Sequence, residues 1–178
     1  MTQRVLVCYG SRYGSTAEVA QEMENVIQEH GRHVDLVDLR KGKIPQDLQS
    51  YELVVIGSGI QAGRWTKEPL ELIKKNLESL SKTRVALFVL SGYATDSKNH
   101  DMVQSEYLDK VVEEIPGLIP VATTFFAGVF DLKKYNFAVR RLVESLLKQQ
   151  MGFDEEVPER IDSRDWDKIR GWTVSLLG

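Results

Sequence analysis

The stretch Val5-Leu6-Val7-Cys8-Tyr9-Gly10-Ser11-Arg12-Tyr13-Gly14-Ser15-Thr16 decides how this chain is read. Its first five residues form a short, unbroken apolar run, the pattern of a strand covered on both faces. A loop of glycines and hydroxyls follows, and then a helix. From Thr16 to His30 the apolar residues Val19, Ala20, Met23, Val26 and Ile27 recur at helical spacing, and Gly31 supplies the stop.

The same alternation runs outward along the chain. Val34, Leu36 and Val37 mark a second strand, and Leu53-Val54-Val55-Ile56 a third. Thr66 starts a helix carrying Leu70, Ile73, Leu77 and Leu80 on one stripe. Val85 to Leu90 is a fourth strand, and the helix around Val103, Tyr107, Val111 and Ile115 stops at Pro116-Gly117. A fifth strand spans Val121 to Phe126, followed by a helix through Leu142, Val143, Leu146 and Leu147. Asp154 to Ser163 reads as a polar loop. The last helix aligns Trp166, Ile169, Trp172 and Leu176, with Asp162 or Ser163 as its N-cap. Five strands alternating with helices predict a doubly wound α/β sandwich: a parallel sheet with helices on both faces. With no repeat and no long linker, residues 1–178 are expected to form one domain.

Composition narrows the function classes. The net charge of −3 argues against a dedicated nucleic-acid binder, which needs a dense basic footprint. No apolar run approaches the roughly 20 residues that span a bilayer. Met1-Thr2-Gln3-Arg4 leads at once into a strand, which leaves no room for a signal peptide. The one cysteine, Cys8, lies inside an apolar run and reads as an inert buried thiol in a reducing cytoplasm. His30, His33 and His100 are scattered, so neither a catalytic triad nor a metal set stands out.

In such a sheet, ligands sit beyond the carboxyl ends of the strands, where strand order reverses. The first loop, Gly10 to Thr16, offers the hydroxyls of Ser11, Ser15 and Thr16. Gly14 permits a tight turn, and the helix behind it adds free N–H groups and the positive end of its dipole. Such a loop suits a phosphate monoester; the plainer alternative is a turn whose hydroxyls only cap the helix. No lysine follows Gly14 as a P-loop requires. Gly57-Ser58-Gly59-Ile60-Gln61-Ala62-Gly63 follows the third strand with one residue too many for the dinucleotide fingerprint. Tyr9-Gly10 and Gly57 stand where a phosphorylated receiver domain needs acids.

Ser11-Arg12-Tyr13-Gly14-Ser15-Thr16 resembles the flavodoxin phosphate loop, Thr/Ser-x-Thr-Gly-x-Thr, with Tyr13 in place of the middle threonine. Val54 to Ile60 with Gly63, Ala127-Gly128 and Arg164-Asp165-Trp166 resemble, more narrowly, the flavodoxin-type menaquinone-dependent protoporphyrinogen oxidases. The resemblance covers essentially the whole chain. It implies a flavodoxin-like five-stranded parallel sheet of order 2-1-3-4-5, and FMN as cofactor. It assigns the phosphate to Ser11, Arg12, Tyr13, Gly14, Ser15 and Thr16. It assigns the isoalloxazine ring to Ser58 through Trp65, including Gly59, Ile60, Gln61 and Gly63, and to Ser91 through Asp96.

The residue types in those two loops suit a flavin. Trp65 and Tyr93 are the aromatics on hand for stacking, or alternatively a helix staple and a loop support. Ser58, Gly59, Gly63 and Gly92 let backbone groups approach a ring edge. Gly59 and Gly63 are both candidates for contact with flavin N5. The resemblance implies an electron carrier meeting a redox partner protein, or an oxidoreductase passing hydrogen from a porphyrinogen to a quinone. A flavin-free binding module is a third reading, opposed by the intact loop hydroxyls. Lys133, Lys134, Arg140 and Arg141 mix with aromatics in a segment that suits peripheral contact with anionic lipid or with porphyrinogen carboxylates; the plainer alternative is the solvated basic face of an ordinary helix.

Overall fold

Alternating apolar residues on three neighbouring strands divide the interior of the computed structural model into two layers. The structure describes residues 3–178, so Met1 and Thr2, and the expectation resting on them, lie outside it. The elements are β1 (Arg4–Gly10), α1 (Ser15–Glu29), β2 (His33–Asp38), β3 (Leu53–Gln61), β4 (Arg64–Trp65), α2 (Lys67–Lys75) and α3 (Leu77–Leu80). There follow β5 (Arg84–Ser91), α4 (His100–Gln104), a π-turn (Ser105–Asp109), α5 (Lys110–Glu113), β6 (Ala122–Ala127) and β7 (Val129–Asp131). Last come α6 (Phe137–Met151), β8 (Arg160–Asp162) and α7 (Trp166–Leu176).

The main sheet has the order β2-β1-β3-β5-β6, all parallel, which is the expected 2-1-3-4-5 once the hairpin strand β4 is set aside. Leu6, Cys8, Val54, Ile56, Leu87 and Val89 face one apolar layer together with α2 to α5. Val7, Val55, Phe88 and Leu90 face the other, against α1 and α7. Cys8 is buried, and burial pushes its thiol pKa up, so it stays protonated.

Several local expectations are corrected. The segment from Ser58 to Trp65 is not a loop: Ser58 and Gly59 continue β3 in the parallel sheet, and Ile60 to Trp65 form an antiparallel hairpin pairing Ile60 with Trp65 and Gln61 with Arg64. Its turn residues Ala62 and Gly63 both have positive φ, 46° and 73°. Two such residues make the tight turn whose twist matches paired strands. Asn76 breaks the second helix into α2 and α3. The polar stretch after Gly152 contains β8, which pairs with β7. The N-cap of α7 is Asp165, whose carboxylate accepts the Lys168 amide at 2.9 Å; Asp162 and Ser163 lie too early.

The stripe expected on α6 is also revised. Leu147 is buried, but Leu142 is 62% exposed and Leu146 also faces outward. This helix does not cover the main sheet: it closes a small separate cluster with Leu132 and Val157. Among the described residues no helix is long and apolar enough to cross a membrane.

Candidate functional site

The carboxyl ends of β1, β3 and β5 bring three loops side by side. Gly10 pairs with Ser58, and Gly59 pairs with Leu90, so the loops following these strands emerge from adjacent rungs. A Cβ added to Gly59 would lie 3.0 Å from Thr16 Oγ1. The end of β3 therefore approaches the first turn of α1 with only a missing side chain between them.

The first loop is closed by its own hydroxyl. Ser11 Oγ accepts the Gly14 amide at 3.0 Å. Gly14, at φ 96°, is the N-cap of α1 and contributes no side-chain hydrogen bond. The left-handed φ explains the glycine, and the absent cap leaves the first-turn amides of α1 without a side-chain acceptor. Thr16 is buried beside them and Ser15 half-buried. Free amides and the positive end of the helix dipole meet at this turn, the arrangement that receives an anion. Arg12 is exposed, and Tyr13 turns its ring edge-on to Tyr135, with centroids 4.8 Å apart.

Distant segments hold this loop. Arg40 donates to the Ser11 carbonyl at 3.0 Å, and Lys134 Nζ donates to the Tyr13 carbonyl at 2.7 Å. Arg164 donates to the Ser15 carbonyl at 3.2 Å and pairs with Glu18 and Asp162 at 2.7 and 2.6 Å. Its side chain is 2% exposed and stacks on Trp166. Burial pulls the guanidinium pKa down, but the bonds to Asp162 and Glu18 outweigh it and raise it. Arg164 conversely holds the Asp162 carboxyl below the usual range.

That depression sets an expected pH dependence. A carboxyl lowered in the folded state stabilises above its unfolded pKa, about 3.9, and loses the contribution as pH falls through the folded value. Asp162→Asn is therefore expected to lower the urea midpoint at pH 6 and to match the parent progressively toward pH 3. A deficit of equal size at both pH values would show that charge is not the cause.

The remaining candidate residues divide by what they touch. Ser58 Oγ accepts the Thr66 amide at 2.9 Å and meets the Thr66 hydroxyl at 3.0 Å, which anchors the start of α2. Ser91 Oγ accepts the Tyr93 amide at 3.2 Å and caps a short 3-10 turn over Gly92–Thr95. Trp65 is 7% exposed and donates its indole N–H to the Tyr107 carbonyl at 2.6 Å, so it is a core residue. Tyr93 is 39% exposed. Ile60 leans on the core and Gln61 is half-buried, both at the end of β3. Gly63 sits at the hairpin tip, and Gly92 is covered by the Phe130 ring, 2.3 Å from where a Cβ would stand.

A second feature adjoins the Tyr93 loop. An open cleft of about 580 Å³ lies between that loop, β6, α6 and the start of α7. Phe125 and Phe130 are among its walls. Lys168 also lines it, with its ammonium 5.0 Å from the Phe125 ring centroid. The Thr95 hydroxyl, also in the lining, is buried without a hydrogen-bond partner among the described residues. Sequence reasoning missed this cleft, along with Lys134 and Arg164 as loop anchors. The Arg164-Asp165-Trp166 run was the one available signal.

Comparison with known proteins decides the family. Residues 6–156 match the Flavodoxin domain family. The chain belongs to the flavodoxin family. Among its relatives is the protoporphyrinogen IX dehydrogenase [quinone] of Escherichia coli (strain K12), 21% identical over 97% of this chain and 94% of that protein. Another is the Leishmania major protein of the same name, 23% identical over 94% of this chain and 71% of that protein. Oxidised flavodoxin 1 from Bacillus cereus superposes with a TM-score of 0.56 at 14% identity, covering 98% of this chain and 97% of that one. A flavoprotein in complex with FMN from Lactobacillus acidophilus NCFM gives 0.52 at 18% identity, covering 70% and 93%. These structures share the flavodoxin fold with this chain.

Proposed function

We propose that residues 1–178 act as one flavodoxin domain that binds FMN non-covalently and carries electrons between partners. The observation that carries this reading is the uncapped first turn of α1, faced by Gly59 across a gap that a methyl group would fill. The residues fit the cofactor. Ser11 through Thr16 would hold the phosphate, with backbone amides and hydroxyls as donors and no charge needed within the turn itself. The segment from Ser58 to Trp65 and the loop from Ser91 to Asp96 would flank the ring. When bound, FMN supplies the redox chemistry; the chain holds, orients and shields it.

Purified protein titrated with FMN is expected to quench flavin fluorescence at one equivalent. Colourless protein that takes up no added FMN overturns the reading. Tyr93, the exposed aromatic of the ring loops, is the residue expected to stack. Tyr93→Ala is expected to weaken FMN roughly tenfold, within the range of an aromatic contact. Unchanged affinity would move the ring elsewhere.

A second reading is an FMN-dependent dehydrogenase delivering electrons to a quinone, the activity named for the Escherichia coli and Leishmania relatives. The aromatic cleft beside the Tyr93 loop supports it, because a small flat partner needs a pocket that a protein partner does not. Reoxidation of the reduced protein by a menaquinone analogue, with protoporphyrinogen consumed by the oxidised form, distinguishes this reading from the carrier. A cytoplasmic location accords with the buried free thiol. Peripheral membrane contact through Lys133, Lys134, Arg140 and Arg141 is weakened by their neighbours. Lys133 pairs with Glu159 at 2.7 Å, Arg140 with Glu144 at 2.8 Å, and Lys134 is turned to the first loop.

A further inference from the structure

We infer that Lys134 is a phosphate-recognition residue, supplied to the first loop from a segment 121 residues away. The inference rests on the FMN reading and adds to it a second cation beside the exposed Arg12. At the centre of the loop stands Tyr13, whose ring is turned away against Tyr135. The loop is therefore short of one small side-chain donor just where a dianion would sit.

Lys134 occupies the neighbouring space. Its ammonium lies 2.7 Å from the Tyr13 carbonyl and 3.6 Å from where a Gly14 Cβ would stand. The nearest carboxylate, Asp131, is at 3.9 Å, beyond hydrogen-bond distance. Asp131 is otherwise engaged, accepting the Lys133 amide at 3.3 Å. Lysine ends in three donors on a flexible four-carbon stem. One donor can keep the Tyr13 carbonyl while another meets a phosphate oxygen. Position is secured from behind, because Leu132 is buried and Tyr135 packs against the same small cluster.

This arrangement has a signature that separates phosphate recognition from mere support of the loop. FMN and riboflavin differ only in the phosphate. A residue that touches the phosphate changes the ratio of their affinities; a residue that shapes the loop changes both together.

The test is fluorescence titration of parent, Lys134→Gln and Arg141→Gln with FMN and, separately, with riboflavin. The parent is expected to prefer FMN. Lys134→Gln is expected to lose roughly tenfold or more in FMN affinity, the scale of a charge-assisted hydrogen bond, with riboflavin affinity unchanged. The loss should shrink in high salt. Arg141→Gln, an exposed cation without a carboxylate partner among the described residues, controls for general surface charge and should match the parent. If Lys134→Gln weakens both flavins equally, or neither, the lysine does not read the phosphate and the inference is overturned while FMN binding stands. If the parent binds neither flavin, the cofactor assignment falls and this inference with it.

Discussion

Trp65→Ala is expected to destabilise the fold by about 4 kcal/mol, the middle of the range for truncating a buried tryptophan. The indole is almost fully enclosed, and its N–H satisfies the Tyr107 carbonyl inside the π-turn. Truncation opens a cavity between the hairpin and the π-turn and leaves that carbonyl without its donor, so two costs add. Trp65→Phe refills most of the volume but not the hydrogen bond, and should lose about 1–2 kcal/mol. Urea unfolding followed by circular dichroism reads both. An alanine variant within about 1 kcal/mol of the parent would contradict the core assignment. FMN titration of Trp65→Phe supplies the complementary check: its affinity should stay close to the parent, whereas Tyr93→Ala should not.

The second large effect lies on the opposite face of the sheet. Gly57→Ala would place a methyl carbon 2.0 Å from the ring of Phe88, the residue paired with it on β5. The ring has nowhere to go. Phe126 stands 6.1 Å away and Trp172 6.2 Å away, centroid to centroid, and all three side chains share one apolar layer. Overpacking of this kind costs about 3 kcal/mol when neighbours cannot yield. In a domain of this size that corresponds to a fall of roughly 6–12 °C in Tm. The double variant Gly57→Ala/Phe88→Leu removes the obstructing ring and should recover part of the loss. A double variant less destabilised than the sum of the two single changes confirms the clash. Strict additivity would place the cost elsewhere.

These two residues also mark what the amino-acid sequence disclosed. The sandwich was legible because β1, β3 and β5 are buried on both faces and read as continuous apolar runs. The loop from Gly10 to Thr16 was legible as a strand-to-helix turn rich in hydrogen-bond donors because those residues are local, within seven consecutive positions. The hairpin escaped because its second strand is two residues long and its turn relies on Ala62 at positive φ, a position usually given to glycine or asparagine. Trp65 remained ambiguous between ring contact and core because that choice depends on Tyr107, far along the chain. The exposure of Leu142 and Leu146 was invisible for a related reason. Helical spacing shows which residues share a face, not whether the main sheet lies beneath it.

One consequence follows from the anchoring of the opening loop by Arg164, whose partner carbonyl at Ser15 lies 149 residues earlier. On the ribosome, the loop emerges long before the arginine that secures it, and by then every strand of the main sheet has been made. A nascent chain therefore cannot secure this loop until Arg164 has been made. The clamped form of the loop is thus reached only after the whole main sheet has been synthesised.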